Sequence, residues 1–395
     1  MKQLHFEGSG FEYFKIWIVN ILLIIITFGV YYPWAKVRKQ RYFYANSTLE
    51  SRNFEYHATG KQLFLGYIIA MALLLVLSII QNISPIGALG TFLIFSLVIP
   101  WIIWRSLMFT MRMSSFSNVR FSFVGDLKGA YINFMLLPGA LFLCIYGAPS
   151  LALLLLITVP GSIGIGEGIL ISVYVIACAV LALYLAALIK NKNTSYVVNG
   201  YRFGQGQFKT SLETRQFAKI LLKTIGVGLL MLMGIAILMV IIVALAGGLA
   251  DLLNIFNGDS EAIIDLFARH MMESVLGLIY IAFLMSSFIV VAYFQAQVRQ
   301  YIFVNTLLNG NVSFSSSLTT TALAWLMMSN FLLVVMTLGL ATPWAKVRRA
   351  KLVLNHTLVD VESGFDGFIS QQQDQQSALG EQIGDAFDVD IAIGV

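Results

Sequence analysis

The sequence predicts an all-α polytopic membrane protein. It has about eight hydrophobic helical segments, six clear spans and two matching terminal units, with short β-hairpins on the basic side. Three observations carry this. Hydrophobic residues make up 58% of the chain and charged residues 11%, against about 25% charged in an ordinary soluble domain; mean hydropathy is +0.81. Apolar runs of membrane-spanning length recur along the chain. Finally, the string TFGVYYPWAKVR at 27–38 returns as TLGLATPWAKVR at 337–348, each copy closing an apolar run.

The apolar segments fall at about 14–32, 63–81, 86–104, 131–156, 168–189, 220–246, 274–293 and 322–342. The first lacks a basic leader and a small-residue cleavage site, so it reads as a retained membrane segment. Of 25 Lys and Arg residues, 22 lie in 33–62, 105–130, 190–223, 294–321 and 346–351, whereas 251–273 holds five acids against Arg269. The positive-inside rule therefore places the basic loops in the cytoplasm.

Those basic loops share a pattern of β-formers, a polar turn, then more β-formers. It occurs in 48–60, 115–125, 196–206 and 306–316. Asn199-Gly200 and Asn309-Gly310 are the strongest turn signals. Phe54/Tyr56 and Phe121/Phe123 alternate with period two, which calls for one buried face. Residues 4–10 resemble a lone second arm, and 356–368 a last, degenerate hairpin. The integral membrane domain is read as 1–356, with terminal units at about 4–60 and 306–356. The acidic, Gln-rich tail 357–395, with eight acids and no base, is expected to be largely disordered.

At an offset of 310, the stretch 20–38 matches 330–348 at 11 of 19 positions. If all eight segments spanned, the two basic strings would fall on opposite sides of the membrane. The simpler arrangement has six spans in three hairpins, flanked by two re-entrant units broken at Thr-x-Gly and Pro. The alternative is eight full spans with both termini outside. Asn20 and Thr27, two turns apart, share a helix face, as do Asn330 and Thr337. They point at a neighbouring helix or line a polar pathway.

Pro33, Trp34, Lys36, Arg38 and Arg41, with Pro343, Trp344, Lys346, Arg348 and Arg349, suit a membrane boundary. There proline starts a helix, tryptophan anchors at the headgroups and the cations meet phosphate. A sharper reading makes them an anionic-lipid site built by two copies around a pseudo-two-fold.

The stretch FEGSGFEYFKIWIVNILLIIITFGVYYPWAKVRKQRYFYANSTLESRNFEYHATG resembles the YjgN-like bacterial inner-membrane family, whose function is unknown. The residues that carry the likeness are Thr27, Gly29, Tyr31, Pro33, Trp34, Ala35, Arg41, Tyr42, Tyr44, Ala45, Asn46, Phe54 and Tyr56. The second copy departs from the motif, with Ala341 and Leu352 in place of Tyr31 and Tyr42. The resemblance implies an inner-membrane location and a topology class. It implies no activity.

No Asp or Glu falls well inside an apolar segment, which argues against ion-coupled transport. No dyad, triad or phosphate loop marks an enzyme, and the scattered histidines and cysteines lack metal-ligand spacing. No cofactor, metal or nucleic-acid partner is therefore expected; the expected partners are membrane lipids with anionic headgroups. The function that fits best is a passive transporter or channel for lipid or small solutes. The alternative is a scaffold or regulator acting through its cytoplasmic hairpins.

Overall fold

Among the described residues, ten short strands and the paired helices between them are arranged so that every helix hairpin begins and ends on one closed barrel. The computed structural model describes residues 1–83, 85–147, 149–150, 165–243, 273–361 and 367–374. Residues 251–272 of the acidic loop and most of 157–167 lie outside the described residues.

The strands are β1 (Lys2–Phe6), β2 (Ser47–Leu49), β3 (Arg52–Tyr56), β4 (Ser114–Phe116), β5 (Val119–Phe123), β6 (Tyr201–Phe203), β7 (Gly206–Thr210), β8 (Thr306–Leu308), β9 (Val312–Ser316) and β10 (Thr357–Val361). All neighbours are antiparallel and follow chain order, and β1 pairs with β10 to close the circle. The all-α expectation is thus corrected. The hairpins share one closed sheet, because a lone two-stranded hairpin is marginal and closure removes every edge. Period two puts one side chain in two inside, and these meet across the seams between units: Leu4 opposite Leu49, Phe54 opposite Phe116, Phe121 opposite Phe203 and Phe208 opposite Leu308.

Four tight turns join the strands at the end away from the helices. Glu50-Ser51 and Ser117-Asn118 turn with both residues at positive φ, Gly204 turns at φ +56°, and Asn309-Gly310 opens a three-residue loop. Asn199-Gly200 is not a turn, contrary to its sequence signal. It ends a long helix, where Asn199 Oδ1 accepts from Thr210 N at 2.8 Å and the ring of Phe123 fills the space beside Gly200.

The other ends of the strands run into helices. These are α1 (Gly10–Ile26), α2 (Tyr32–Ala45), α3 (Gly60–Ile83), α4 (Pro85–Arg112), α5 (Leu127–Gly147, with two π-type stretches), α6 (Ile165–Gly200), α7 (Thr214–Val243), α8 (Glu273–Val304), α9 (Thr320–Met336) and α10 (Thr342–Asn355). Polar caps start the outgoing ones. Ser9 and Glu12 form a capping box on α1, Thr59 and Gln62 exchange the same bonds on α3, Asp126 caps α5 and Thr319 caps α9. Among the described residues, six helices are long and apolar enough to cross a membrane. The helices pack in strand order, each on its chain neighbours, and α1 on α10 completes the circuit.

The terminal units are shorter. Helices α1 and α9 have 17 residues each, about 25 Å at 1.5 Å per residue. Each then breaks and returns to the strand next to the one it left, so both of its ends lie at the barrel. The domain boundary expected at 357 also moves. Thr357–Val361 is a barrel strand, paired along its length with β9, and residues 367–374 form a helix, α11. The remaining tail lies outside the described residues.

Candidate functional site

The barrel interior is apolar because alternate residues of every strand point into it. It encloses a cavity of about 330 Å³, walled by residues such as Phe54, Phe121, Phe208, Val312, Phe314 and Val359. At the helix end the lining passes to Val198, Ile302 and Phe303. At the turn end α11 stops the mouth. Phe368 and Ile369 are buried in the barrel core, with the Phe368 ring stacked on Phe203 at 6.2 Å. The side chain of Gln372 is fully buried, and its Oε1 accepts from the backbone N–H groups of Gln205 (3.0 Å) and Gly206 (3.2 Å). Gln373 donates to the carbonyl of Ser117 at 2.6 Å. A polar clasp on two turns thus seats an apolar plug.

A half-buried arginine fixes the helix end of this barrel. Arg299 on α8 donates to Thr357 Oγ1 (2.6 Å), Ser316 Oγ (3.1 Å) and the carbonyl of Val353 (3.3 Å), and its guanidinium lies 4.3 Å from the Phe303 ring centroid. These bonds tie α8 to β9, β10 and α10.

The residues singled out by the repeated string do several different jobs. Thr27 and Thr337 build the breaks. Thr27 Oγ1 donates to the carbonyl of Leu23 (2.7 Å) and accepts from Tyr31 N (3.0 Å); Thr337 does the same with Leu333 and Ala341 at 2.7 and 3.0 Å. Gly29 and Gly339 follow at φ +89° and +91°, a region open chiefly to glycine. The hydroxyls are therefore engaged in turns rather than lining a pathway. At the tips stand Phe28 and Leu338, 97% and 94% exposed.

Pro33 and Pro343 are buried at the first turns of α2 and α10. The indoles of Trp34 and Trp344 are wedged between helices, against Gly60 with Phe64 and against Gly10 with Phe14. They are half-buried packing groups, a role the sequence reading had not assigned to them. Trp104 was missed altogether: its Nε1 donates to the carbonyl of Gly125 at 2.6 Å and joins α4 to the start of α5. A tryptophan on one helix, with a glycine shortly before the next basic-side helix start, was the available signal.

The two strings are not related by a two-fold. Helices α2 and α10 both run toward the barrel on either side of α1, as neighbouring members of one circuit. Their cations diverge. Arg348 is tied down: it donates to Asn330 Oδ1 (2.8 Å) and Ser329 Oγ (3.0 Å), and Asn330 Nδ2 donates to the carbonyl of Ala345. Lys346 is half-buried, and burial with neighbouring Lys39 lowers the pKa of its ammonium. Lys36 and Arg349 are exposed. Arg38 lies 5.7 Å from the Tyr31 ring centroid, and Arg41 donates to the carbonyl of Ala58 at 2.7 Å. Asn20 is buried, and its Oδ1 has no hydrogen-bond partner. Arg38 and Arg41 meet Lys15 of α1, which the sequence reading did not single out, in a cleft between α1 and α2.

Among known proteins, the chain is 27% identical over 360 residues to "Inner membrane protein YjgN" of Salmonella typhimurium, covering 90% of this chain and 88% of the relative. It is 33% identical over 135 residues, 34% of each chain, to the protein of that name from Escherichia coli K12. No solved structure matches it. Residues 1–386 match the family model described as "Bacterial protein of unknown function (DUF898)". With its barrel, its six membrane-length helices and this match over nearly its whole length, the chain belongs to that family.

Proposed function

We propose that this is a lipid-handling protein of the bacterial inner membrane, a passive carrier whose barrel receives an acyl chain. One observation carries the reading. The cavity of about 330 Å³ inside the barrel is lined by apolar side chains from its plugged mouth to the helix end. Apolar cavities of this kind stay dry and take apolar ligands. The helices beneath support it. At most 11% of the apolar 18-residue window of any of the six spans is buried in the protein, so these helices offer apolar faces along their length. A lipid tail passing along them to the barrel would stay in apolar surroundings.

In this reading the barrel faces the cytoplasm, since the helix ends nearest to it carry most of the Lys and Arg. The two short hairpins are re-entrant. Their exposed apolar tips at Phe28 and Leu338 enter the bilayer, and their bases stay at the barrel. The names of the relatives support the inner membrane as the location.

The test is lipid retention. Purified protein is expected to carry phospholipid seen by native mass spectrometry, and Val312→Phe with Val359→Phe, which fill the cavity, should reduce it. Equal retention by the filled variant would remove the barrel from the mechanism. Liposome lipid exchange by the same pair then separates carriage from storage. A scaffold reading draws on α11, since a mouth that seats one helix of this chain has the shape to seat another. Pull-down by a chain cut after residue 361 tests it.

A further inference from the structure

We propose that the cleft between α1 and α2 is a binding site for a phosphate group at the membrane surface, separate from the barrel cavity and independent of the function assigned to it. The cleft, about 630 Å³, brings Lys15, Arg38 and Arg41 together over Ile16, Val19 and Ala45. No carboxylate lines it, and none of the three cations is ion-paired among the described residues. The nearby Glu12 is engaged in the α1 cap and with Tyr42 Oη at 3.3 Å. Three cations beside an apolar wall match a phosphate ester carrying a hydrocarbon chain.

The contrast with the other copy of the string sets this cleft apart from ordinary surface charge. Arg348 is held by Ser329 and Asn330. At the same offset the residues that correspond to Ser329 and Asn330 are Val19 and Asn20; Val19 lines the cleft with Arg38 and offers it no acceptor. Arg38 donates no hydrogen bond among the described residues, and the acceptor on the neighbouring asparagine, Asn20 Oδ1, is left buried without a partner. One arginine is thus internally satisfied and its counterpart is left available. Valine at position 19 withholds one of the two acceptors that hold Arg348, and Asn20, which corresponds to the other, is not engaged by Arg38.

Two variants test the site in nanodiscs of phosphatidylcholine doped with phosphatidylglycerol, with retained lipid read by native mass spectrometry. Lys15→Gln/Arg38→Gln/Arg41→Gln should lower phosphatidylglycerol retention about tenfold or more. Val19→Ser keeps every charge but supplies the acceptor that Arg348 has, so it too should lower retention. Arg348→Gln should leave retention unchanged. Competition with inorganic phosphate identifies the source: resistance assigns the site to a lipid headgroup, displacement to free phosphate, and either supports phosphate recognition. Retention by the triple variant equal to wild type overturns the proposal. So does a loss in the triple variant with none in Val19→Ser, because binding would then be diffuse charge.

Discussion

The indole of Trp344 stands where a side chain at Gly10 would have to go: a Cβ there would lie 2.2 Å from Trp344 Cδ1. Trp34 stands in the same relation to Gly60, also at 2.2 Å. Each glycine is the first residue of a helix, and each tryptophan belongs to the helix packed before it in the circuit. The pair closes α10 onto α1 across almost the whole length of the chain. Gly10→Ala is expected to cost about 1–3 kcal/mol through overpacking, seen as a lower melting temperature in detergent. Adding Trp344→Ala should recover part of the loss from Gly10→Ala, because the two sites are coupled. Strictly additive losses would show that the contact is not a lock.

The hairpin breaks depend on one hydroxyl each. Thr27→Val and Thr337→Val remove a donor and an acceptor from a turn, and each should cost about 1 kcal/mol or more. Serine at either position should retain most of the stability. Thermal melts of the four variants decide it, and a valine variant as stable as its serine partner would refute the assignment.

Gln372 holds the plug by accepting two backbone bonds. Gln372→Ala should therefore speed hydrogen exchange at the amides of Gln205 and Gly206, while Gln371→Ala, at an exposed position, should not. Exchange mass spectrometry on intact protein gives the comparison. Unchanged protection in the Gln372 variant would mean that the turns are held by something else.

Both ends of every helix hairpin reach one barrel, so His5→Cys and Gln371→Cys should be labelled from the same side by an impermeant thiol reagent, and that side should be the cytoplasm. Labelling of both only from outside would restore the eight-span topology.

The phenol of Tyr42 is pushed up to about 12, first by burial and then by Glu12. A raised folded-state value means that the neutral phenol is the form the fold favours. Its contribution is complete below about pH 10, the ordinary tyrosine value, and is lost as pH rises through about 12. Wild-type stability should thus fall more steeply than that of Tyr42→Phe between those limits. Parallel slopes in a pH series of melts would contradict this.

Much of this arrangement can be read from the residues. The apolar runs, the matching breaks at Thr27 and Thr337 and three of the four strand turns follow from local pattern. Phe54 and Phe121 declared an inward face, but not that every such face looks into one closed ring. Closure depends on Lys2 meeting Val359, a pairing with no local signature. Asn199-Gly200 misled because its side-chain bond and close packing serve a helix end, chemistry that overlaps with a turn's. In the tail, Phe368 and Ile369 are apolar residues inside an acidic, Gln-rich stretch, and composition averaged them away. Arg38 and Arg348 sit in identical hexapeptides. Part of their difference lies 19 residues upstream, where position 329 carries a hydroxyl that accepts from Arg348 and position 19 carries valine.

The pairing of β1 with β10 also sets the order in which the molecule can be made. Seams such as Phe54 with Phe116 join nearby stretches and can form as the chain emerges, but the last seam needs strands more than 350 residues apart. At roughly 5–20 residues per second, β1 waits many seconds for its partner after its own helices have been made. Throughout synthesis the nascent sheet keeps two open edges and an uncovered row of phenylalanines. Chains stopped short of residue 357 would keep that exposed edge, so premature termination should produce an aggregating species rather than a partly working one.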